Sequence, residues 1–412
     1  MKSLSKFSFV KTSFIYMAIN ILVASIGFVR SFAFMNFFNF KELGIITLVS
    51  TSASLISFFQ IGLINGGYRI IALENSELRS KTNNVVFSFF AILLIILFLF
   101  SILGYCFGLF SNGLIIIIIN VLGISILLTN WLTNTLIGGS EFKRLNIANI
   151  ISALASLLCL LLAYYWGLYA ALISLIIQPL LFILIVLFTD KKKLPTKFDL
   201  DLNHIKYILN FGFIPFISGI FFLLYQQIER WSVNLFLGPE ALGKMYLVFL
   251  TITVWLLIPS SINNLYFPRT IKLFADGERI KLNKVINQYF FILIFYCFVC
   301  VILILTLLPP LVKLIFPKHY DYVNLVFIIL PGMVFRNMCD PISLLLNSMV
   351  KLKPILYSDL ISTIFYIFMI LFIIIMKVFS LENILYCYVL YSLIKFMYLL
   401  YSFALVKKKY QI

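Results

Sequence analysis

The amino-acid sequence predicts an all-α membrane protein with twelve transmembrane helices arranged as two six-helix bundles. Hydrophobic residues make up 63% of the 412 residues, and only 11% are charged. A soluble protein with that balance would lack the polar residues needed to cover its surface. The apolar runs reach the length of about 20 residues that an α-helix needs to cross a bilayer. Because they lack the alternating pattern of membrane strands, the sequence excludes a β-barrel.

The twelve predicted spans follow one another with short connections. They cover residues 12–38, 44–67, 85–110, 113–137, 147–166, 168–188, 211–237, 242–264, 289–308, 323–349, 355–376 and 382–405. The first span is too long for the apolar part of a signal peptide, so we interpret it as a retained helix. The predicted domains are an N-terminal six-helix bundle (1–190), a cytoplasmic linker (191–207) and a C-terminal six-helix bundle (208–412).

The distribution of positive charge predicts the orientation of the chain. Most of the 32 Lys and Arg residues lie in the two termini and in the loops that follow even-numbered spans. The opposite loops hold only Lys41, Lys244, Lys313, Lys318 and Lys377. Since basic loops stay in the cytoplasm, both termini are predicted to be cytoplasmic. The net charge of +17 therefore reflects topology and contact with anionic membrane lipids, and we expect no nucleic-acid partner.

A short internal similarity indicates that the two halves are repeats. The run Glu42–Val49 begins the second span, and the run Glu240–Val248 begins the eighth; both contain a Leu-Gly pair and a later Leu-Val pair. Aligning these pairs places Arg30 of the first span opposite Glu229 of the seventh, next to Arg230. Two halves with six spans each and the same orientation are typical of a parallel repeat about an axis along the membrane normal.

Charged residues inside the spans are the candidate functional groups. A charge at the centre of a membrane helix costs about 2.5–3.5 kcal/mol on insertion scales, so it usually faces protein or a water-filled path. The intramembrane cations are Arg30, Arg230, Arg336 and Lys395, and we identify Glu229 and Asp340 as the acids that accompany them. Further polar positions on the same helical stripes or on the fourth span are Asn20, Gln226, Asn130, Asn134, Tyr388 and Tyr398. These stripes predict one hydrated cavity with net positive charge.

Each cation also has a structural interpretation. Arg30 and Arg230 can extend their long side chains toward the membrane surface. Arg336 can form a structural ion pair with the acid that follows one helical turn later. Lys395 lies near the middle of its span, where its own helix supplies no acid, and Glu229 is its candidate partner from another span.

Other kinds of chemistry are not indicated by the sequence. The six cysteines lie in apolar runs, and the two histidines, His204 and His319, lie in different loops, so we expect no metal site. We find no phosphate-binding glycine loop and no nucleophile paired with a base, so we expect neither enzymatic catalysis nor an organic cofactor. The runs Gly62–Gly66 and Gly104–Gly108 predict close packing of helices.

Three runs of residues resemble a known family. The Leu-Gly turns described above, the run Gly62–Arg69 and the run Arg336–Lys351 are similar to those of polysaccharide exporters. These exporters are the Wzx-type O-antigen flippases of the multidrug/oligosaccharidyl-lipid/polysaccharide (MOP) superfamily, which also contains MATE multidrug exporters and the lipid II flippase. The resemblance implies two six-helix bundles around a central cavity, in the inner membrane of a bacterium.

The resemblance also implies a substrate and partners. The substrate would be an undecaprenyl-diphosphate-linked oligosaccharide, carried from the cytoplasmic to the periplasmic leaflet, with a polysaccharide polymerase and a chain-length regulator as partners. The four cations suit a diphosphate, because Arg binds phosphate in a bidentate manner and Lys binds it as a point charge. If transport is coupled to Na⁺ or H⁺, Glu229 and Asp340 are the candidate coupling residues.

Two other functions remain as alternatives. A cation or drug antiporter of the MATE type would be expected to present unpaired acids and an apolar aromatic chamber, whereas the charge balance identified above is positive. A membrane-embedded polysaccharide polymerase, which is an enzyme, has a similar composition and number of spans. That class usually carries a large outer loop, and the predicted outer loops of this chain are short.

Overall fold

The structure, a computed structural model, describes residues 6–73, 76–107, 113–139, 141–189 and 195–410. The described residues form fourteen α-helices joined by short turns and 3₁₀ segments, and they contain no strand. Twelve of the helical segments are long and apolar enough to cross a membrane. The predicted all-α fold class with twelve spans is thereby confirmed.

The chain divides into two compact units, residues 1–217 and 218–412. The helices of the first unit are α1 (Lys6–Phe37), α2 (Phe40–Leu55), α3 (Leu63–Leu73), α4 (Ser76–Cys106), α5 (Gly113–Gly138), α6 (Phe142–Cys159), α7 (Ala163–Trp166) and α8 (Leu168–Thr189). The next helix, α9 (Leu202–Lys244), begins in the first unit and continues into the second. The other helices of the second unit are α10 (Tyr246–Ala275), α11 (Arg279–Ile315), α12 (Val323–Ser348), α13 (Lys353–Ile375) and α14 (Leu381–Tyr410).

The repeated Leu-Gly turns mark the starts of two helices. Asn39 caps α2: its side chain accepts a hydrogen bond from the backbone of Glu42, whose carboxylate accepts one from the backbone of Asn39. This reciprocal pair satisfies backbone donors that a helix start leaves free. At the second copy, Gly238 interrupts α9 with a φ of +84°, a conformation that glycine adopts without steric cost. Pro239 follows in the first turn of the new helix, where a missing N–H is tolerated.

The core of the first unit is built around α5, which packs against α2, α3, α4 and α8. Trp131 of α5 is fully buried, and its indole N–H donates to the side-chain oxygen of Asn83 at 2.9 Å. Leu127 and Leu132, on either side of it, are also fully buried. Because α5 is apolar on most of its surface, it can occupy the middle of a bundle.

The predicted close packing at Gly62–Gly66 is present, and its partner is the start of α9. A Cβ on Gly66 would overlap the carbonyl oxygen of Ile208, and one on Gly212 would overlap the carbonyl oxygen of Gly62. The two backbones therefore approach as closely as only glycine allows. This contact explains why residues 208–217, which we predicted to open the C-terminal bundle, pack as part of the first unit.

The described part of the predicted cytoplasmic linker (191–207) before α9 forms hydrogen bonds with the first unit. Residues 191–194 of that linker lie outside the described residues. The backbone N–H of Thr196 donates to Asn84 at 2.8 Å, and that of Asp199 donates to Ser88 at 2.9 Å. Lys81 forms an ion pair of 2.6 Å with Asp201, and this hydrogen bond holds the pKa of the Asp201 carboxyl below its usual value. Residues 196–201 thus run along the first turns of α4.

The core of the second unit is built around α12, which packs against α10, α11 and α14. Of the candidate spans, the segment Pro317–Ser348 that contains α12 has the largest buried share. Gly332 lets α12 and α14 approach, because a Cβ at this position would lie 2.9 Å from the ring of Tyr388. α12 is the tenth span and α5 is the fourth, so the fourth span of each half is the one around which its unit packs, as expected for a repeat.

Candidate functional site

Arg30 of α1 points toward the interior of the first unit. Its Nη1 atom donates to the hydroxyl of Ser156 on α6 at 2.6 Å and to the side-chain oxygen of Gln178 on α8 at 2.9 Å. Ser156 in turn donates to the carbonyl oxygen of Ser174 at 2.6 Å. This fixed geometry does not match the alternative in which the Arg30 side chain extends toward the membrane surface.

Arg30 lines a cavity of about 310 Å³ inside the first unit. The polar groups of the lining include those of Arg30, Ser50, Thr129, Asn130, Asn149 and Gln178. The described lining residues include one guanidinium and no carboxylate. Asn130, which we predicted as a cavity residue, is among them, whereas Asn20 and Asn134 are half-buried residues outside this lining. Hydroxyl, amide and guanidinium groups together suit a ligand that carries hydroxyls and an anionic group.

In the second unit, Arg336 of α12 is held by Tyr225 of α9. Its Nη1 atom donates to the Tyr225 hydroxyl oxygen at 2.8 Å, and the amide nitrogen of Gln226 donates to the same oxygen at 3.2 Å. Two predicted positions, Arg336 and Gln226, are therefore brought together through a residue that we did not predict. Asp340, half-buried on α12, follows Arg336 by one helical turn.

Tyr225 belongs to a cluster of four buried tyrosines, Tyr225, Tyr366, Tyr388 and Tyr391, from α9, α13 and α14. The ring of Tyr225 stacks on that of Tyr391 with centroids 4.5 Å apart, and it lies 6.1 Å from Tyr388 and 6.2 Å from Tyr366. All four side chains are almost completely buried.

Tyr388, one of the predicted cavity residues, belongs to this cluster. We placed Tyr388 in a hydrated cavity, but its side chain is only 2% exposed because the stripe of α14 that contains it faces α12 and α13. Tyr398, ten residues later on α14, is half-buried. Tyr391 falls three residues after Tyr388, so helical spacing could have identified it, whereas Tyr225 and Tyr366 needed the fold.

Lys395 has a partner that we overlooked. Its Nζ atom lies 2.5 Å from a carboxylate oxygen of Asp359 on α13, and the other oxygen of Asp359 accepts a hydrogen bond of 3.0 Å from Ser218. Asp359 lies inside the predicted span 355–376, so our set of intramembrane acids was incomplete, and the net positive charge of the spans is smaller than we inferred. The proposed pairing of Lys395 with Glu229 is replaced by this pair.

The remaining predicted charges also face protein. The guanidinium carbon of Arg230 lies 4.7 Å from the ring centroid of Phe249, in a cation–π contact. Glu229, the preceding residue of α9, is 5% exposed. A carboxylate buried to this degree in a membrane helix marks a candidate functional site.

Arg336 and Lys395 lie at the same level of two adjacent helices. Phe335 of α12, which precedes Arg336, stacks on Phe396 of α14, which follows Lys395. Their ring centroids lie 6.0 Å apart. Arg30 belongs to the other unit of the chain. The sharing of one cavity by all four cations stays a prediction.

The fold has close counterparts among solved membrane transporters. An inward-facing multidrug resistance MATE family transporter of the MOP superfamily is 13% identical, with a TM-score of 0.71 over 96% of this chain and 99% of that chain. The lipid II flippase MurJ, in an inward closed conformation, is 14% identical, with a TM-score of 0.73 over 94% of this chain and 87% of that chain. The chain is therefore a multi-pass helical membrane protein that shares its fold with these transporters.

Sequence comparison identifies the family within this class. Residues 79–324 match the family described as polysaccharide biosynthesis protein. The chain belongs to this family, and the expected kinship with polysaccharide exporters is confirmed. The capsular polysaccharide biosynthesis protein CapF of Staphylococcus aureus is 34% identical over 103 residues, which cover 25% of this chain and 26% of CapF. That match therefore spans about a quarter of the length of the curated relative.

Proposed function

We propose that this protein is a flippase for a lipid-linked oligosaccharide. The substrate would be the undecaprenyl-diphosphate-linked repeat unit of O-antigen or a similar surface polysaccharide. The protein would carry it from the cytoplasmic to the periplasmic leaflet of the bacterial inner membrane by alternating access. Membership of the polysaccharide biosynthesis family supports the substrate class, and the MOP fold supports transport.

The observation that carries this proposal is the Arg30 cavity of the first unit. A sugar headgroup cannot cross hydrocarbon unaided, since each hydroxyl without a hydrogen-bond partner costs several kcal/mol. The cavity supplies hydroxyl and amide partners from Thr129, Asn130 and Asn149, and Arg30 supplies a positive charge for a phosphate. An organic cation would find no carboxylate counter-ion among the described lining residues and would be repelled by the charge of Arg30.

The predicted orientation is part of the proposal. With both termini and the basic loops in the cytoplasm, an inside-negative membrane potential favours outward movement of an anion. The gain is about 2.3 kcal/mol per charge for each 100 mV. We propose that coupling to Na⁺ or H⁺ adds to this driving force, and that Glu229, a buried carboxylate, is the first candidate for the coupling residue.

The flippase proposal is tested by exchanging Arg30 in cells and in vesicles. Arg30→Gln is expected to abolish surface polysaccharide in a strain that lacks the chromosomal gene. It is also expected to slow translocation of a fluorescent lipid-linked oligosaccharide in proteoliposomes at least about tenfold, which is the effect of losing about 1.4 kcal/mol from the barrier step. Arg144→Gln is the matched control, because Arg144 pairs with Glu141 at the surface of the same unit.

A second variant separates substrate binding from folding. Asn130 is exposed to the cavity and its side chain can be exchanged for that of Leu without disturbing a buried contact. Asn130→Leu is expected to reduce translocation while leaving thermal stability at the level of the unmodified protein. Wild-type translocation by both Arg30→Gln and Asn130→Leu would contradict the proposal. Efflux of organic cations with normal surface polysaccharide would favour the antiporter instead.

A further inference from the structure

A second polar surface lies on one face of α11, in the other unit of the chain. An open groove of about 770 Å³ runs along this face, with Tyr266 of α10 forming part of its wall. The residues of α11 that line it form adjacent rows whose members are three or four positions apart: Ile280, Asn283, Lys284, Asn287, Gln288, Phe291 and Ile292. Residues at this spacing form one continuous stripe on a helix.

The stripe is polar in the middle and apolar at both ends. Its polar part, from Asn283 to Gln288, is about 7.5 Å long at the helical rise of about 1.5 Å per residue. Ile280 and Phe291, at the two ends, are 88% and 73% exposed, so the groove faces the surroundings of the protein. An exposed helix face of this pattern fits a molecule with a short polar head and an apolar tail.

The position of the groove along α11 matches the headgroup region of a bilayer. The predicted membrane span begins at residue 289, directly after the polar part of the stripe. The rings of Tyr266 and Tyr289 stack at this level with centroids 5.1 Å apart. Tyrosine is enriched where the hydrocarbon meets the headgroups. Phe291 would then lie just inside the hydrocarbon, beside the first part of a lipid chain.

The lining of the groove indicates the chemistry of that headgroup. Asn287 and Gln288 are exposed and each offer amide donors and an amide acceptor, which match the mixed donor and acceptor character of sugar hydroxyls, and the half-buried Asn283 is the third amide of the lining. Lys284 adds one ammonium group, which suits a phosphate. The surrounding segment 268–288 holds five basic and two acidic residues, so its net charge also favours an anion. A phosphate alone could accept from the amide N–H groups but would leave the amide oxygens of Asn287 and Gln288 without a donor, whereas sugar hydroxyls can donate to them.

We propose that this groove is a docking surface for the sugar-phosphate headgroup of a lipid in the leaflet that the start of α11 faces. The lipid docks from the side of the protein, with its headgroup on the amides and Lys284 and its tail along Phe291. The groove belongs to the second unit and the Arg30 cavity to the first, so docking here is a step separate from occupation of that cavity. The assignment of this lipid as the transported substrate rests on the proposed flippase function.

The test is a binding measurement on the full-length purified protein. The probe is undecaprenyl-diphosphate-linked N-acetylglucosamine, and binding is followed by native mass spectrometry in the Arg30→Gln background, which removes the cation of the first-unit cavity. Lys284→Gln and Asn287→Leu are each expected to raise the Kd for the probe about fivefold to tenfold. Lys281→Gln removes the same charge from a neighbouring turn, where Lys281 pairs with Glu278 outside the groove, and is expected to stay within about twofold.

The outcomes separate this proposal from the proposed function. The docking proposal would be contradicted if the probe did not bind. It would also be contradicted if the probe bound with equal affinity to Lys284→Gln, Asn287→Leu and Lys281→Gln. Full displacement of the probe by an equal amount of phosphatidylglycerol would contradict it as well, since the surface would then be an ordinary contact for anionic lipid. The flippase function would stand or fall on the separate translocation assay. If Arg30→Gln loses translocation while the groove variants keep the probe affinity unchanged, the flippase proposal is supported and the docking proposal is contradicted.

Discussion

Lys395 and Asp359 form an ion pair of 2.5 Å between α14 and α13, and Ser218 of α9 donates a hydrogen bond to the same carboxylate. Three helices of the second unit thus meet at a carboxylate that is 3% exposed. A buried pair of this kind costs a large desolvation penalty, which the partners offset only while both are present. The pair therefore makes the position of α14 relative to α13 sensitive to either residue.

Removing one partner of this pair is expected to destabilise the second unit, and removing both is expected to restore much of the loss. Asp359→Asn and Lys395→Met should each cost about 3–5 kcal/mol, because each leaves one buried charge without its counter-ion. The measurement is thermal unfolding of the purified variants in detergent. Glu278→Gln with Lys281→Gln, at an exposed pair, is the control and should change little. Additive losses in the double variant would contradict a coupled pair.

The position of the Arg336 side chain is expected to depend on its hydrogen bond to the hydroxyl of Tyr225. Tyr225→Phe keeps the ring that stacks on Tyr391 but removes the acceptor for Arg336, which should cost about 1–3 kcal/mol. Tyr401→Phe, at an exposed ring of α14, is the control. Arg336→Ala is expected to abolish surface polysaccharide while membrane insertion is retained. If Arg336→Ala and Tyr225→Phe reduce transport to the same extent, Arg336 acts by positioning Tyr225 and does not bind the substrate.

Close packing at the start of α9 is expected to make Gly212 intolerant of a side chain. Gly212→Ala would place a methyl group against the backbone of Gly62, which should cost about 1–3 kcal/mol or more through displacement of α9. Gly219→Ala, seven residues later in the same helix, has no atom within 4 Å of the added carbon and is the matched control. Comparison of melting temperatures and membrane yields measures the difference. Equal behaviour of the two variants would contradict the backbone contact.

The ion pair between Lys81 and Asp201 predicts a pH dependence of the attachment before α9. The pKa of Asp201 is lowered in the folded chain, so its contribution to stability is complete above the unfolded value of about 3.9 and is lost as the pH falls through the lower folded value. Lys81→Gln should therefore be less stable than the unmodified protein at neutral pH, and the difference should shrink as the pH falls below about 3.9. Limited proteolysis at residues 195–201 across this range measures the effect. A difference that stays constant as the pH falls would contradict the assignment.

The candidate site was predictable where its signal is a rare residue type in an apolar run. Arg30, Arg230, Arg336 and Lys395 stand out in such runs because charge is costly inside a membrane. Their partners did not stand out. These partners, Ser156, Gln178 and Tyr225, are residue types that are common in membrane helices. They become hydrogen-bond partners of Arg30 and Arg336 only because the fold brings α1 next to α6 and α8, and α9 next to α12.

The sequence by itself determined the class of protein, the number of spans and the positions of the buried cations. These properties follow from hydrophobic length and from the cost of charge in hydrocarbon, which act within a single helix. Only the tertiary structure decided that Lys395 pairs with Asp359, that Tyr388 belongs to the core, and that residues 196–217 pack with the first unit. Those outcomes depend on which helices are neighbours and at what height, and a single amino-acid sequence carries no local pattern that fixes either.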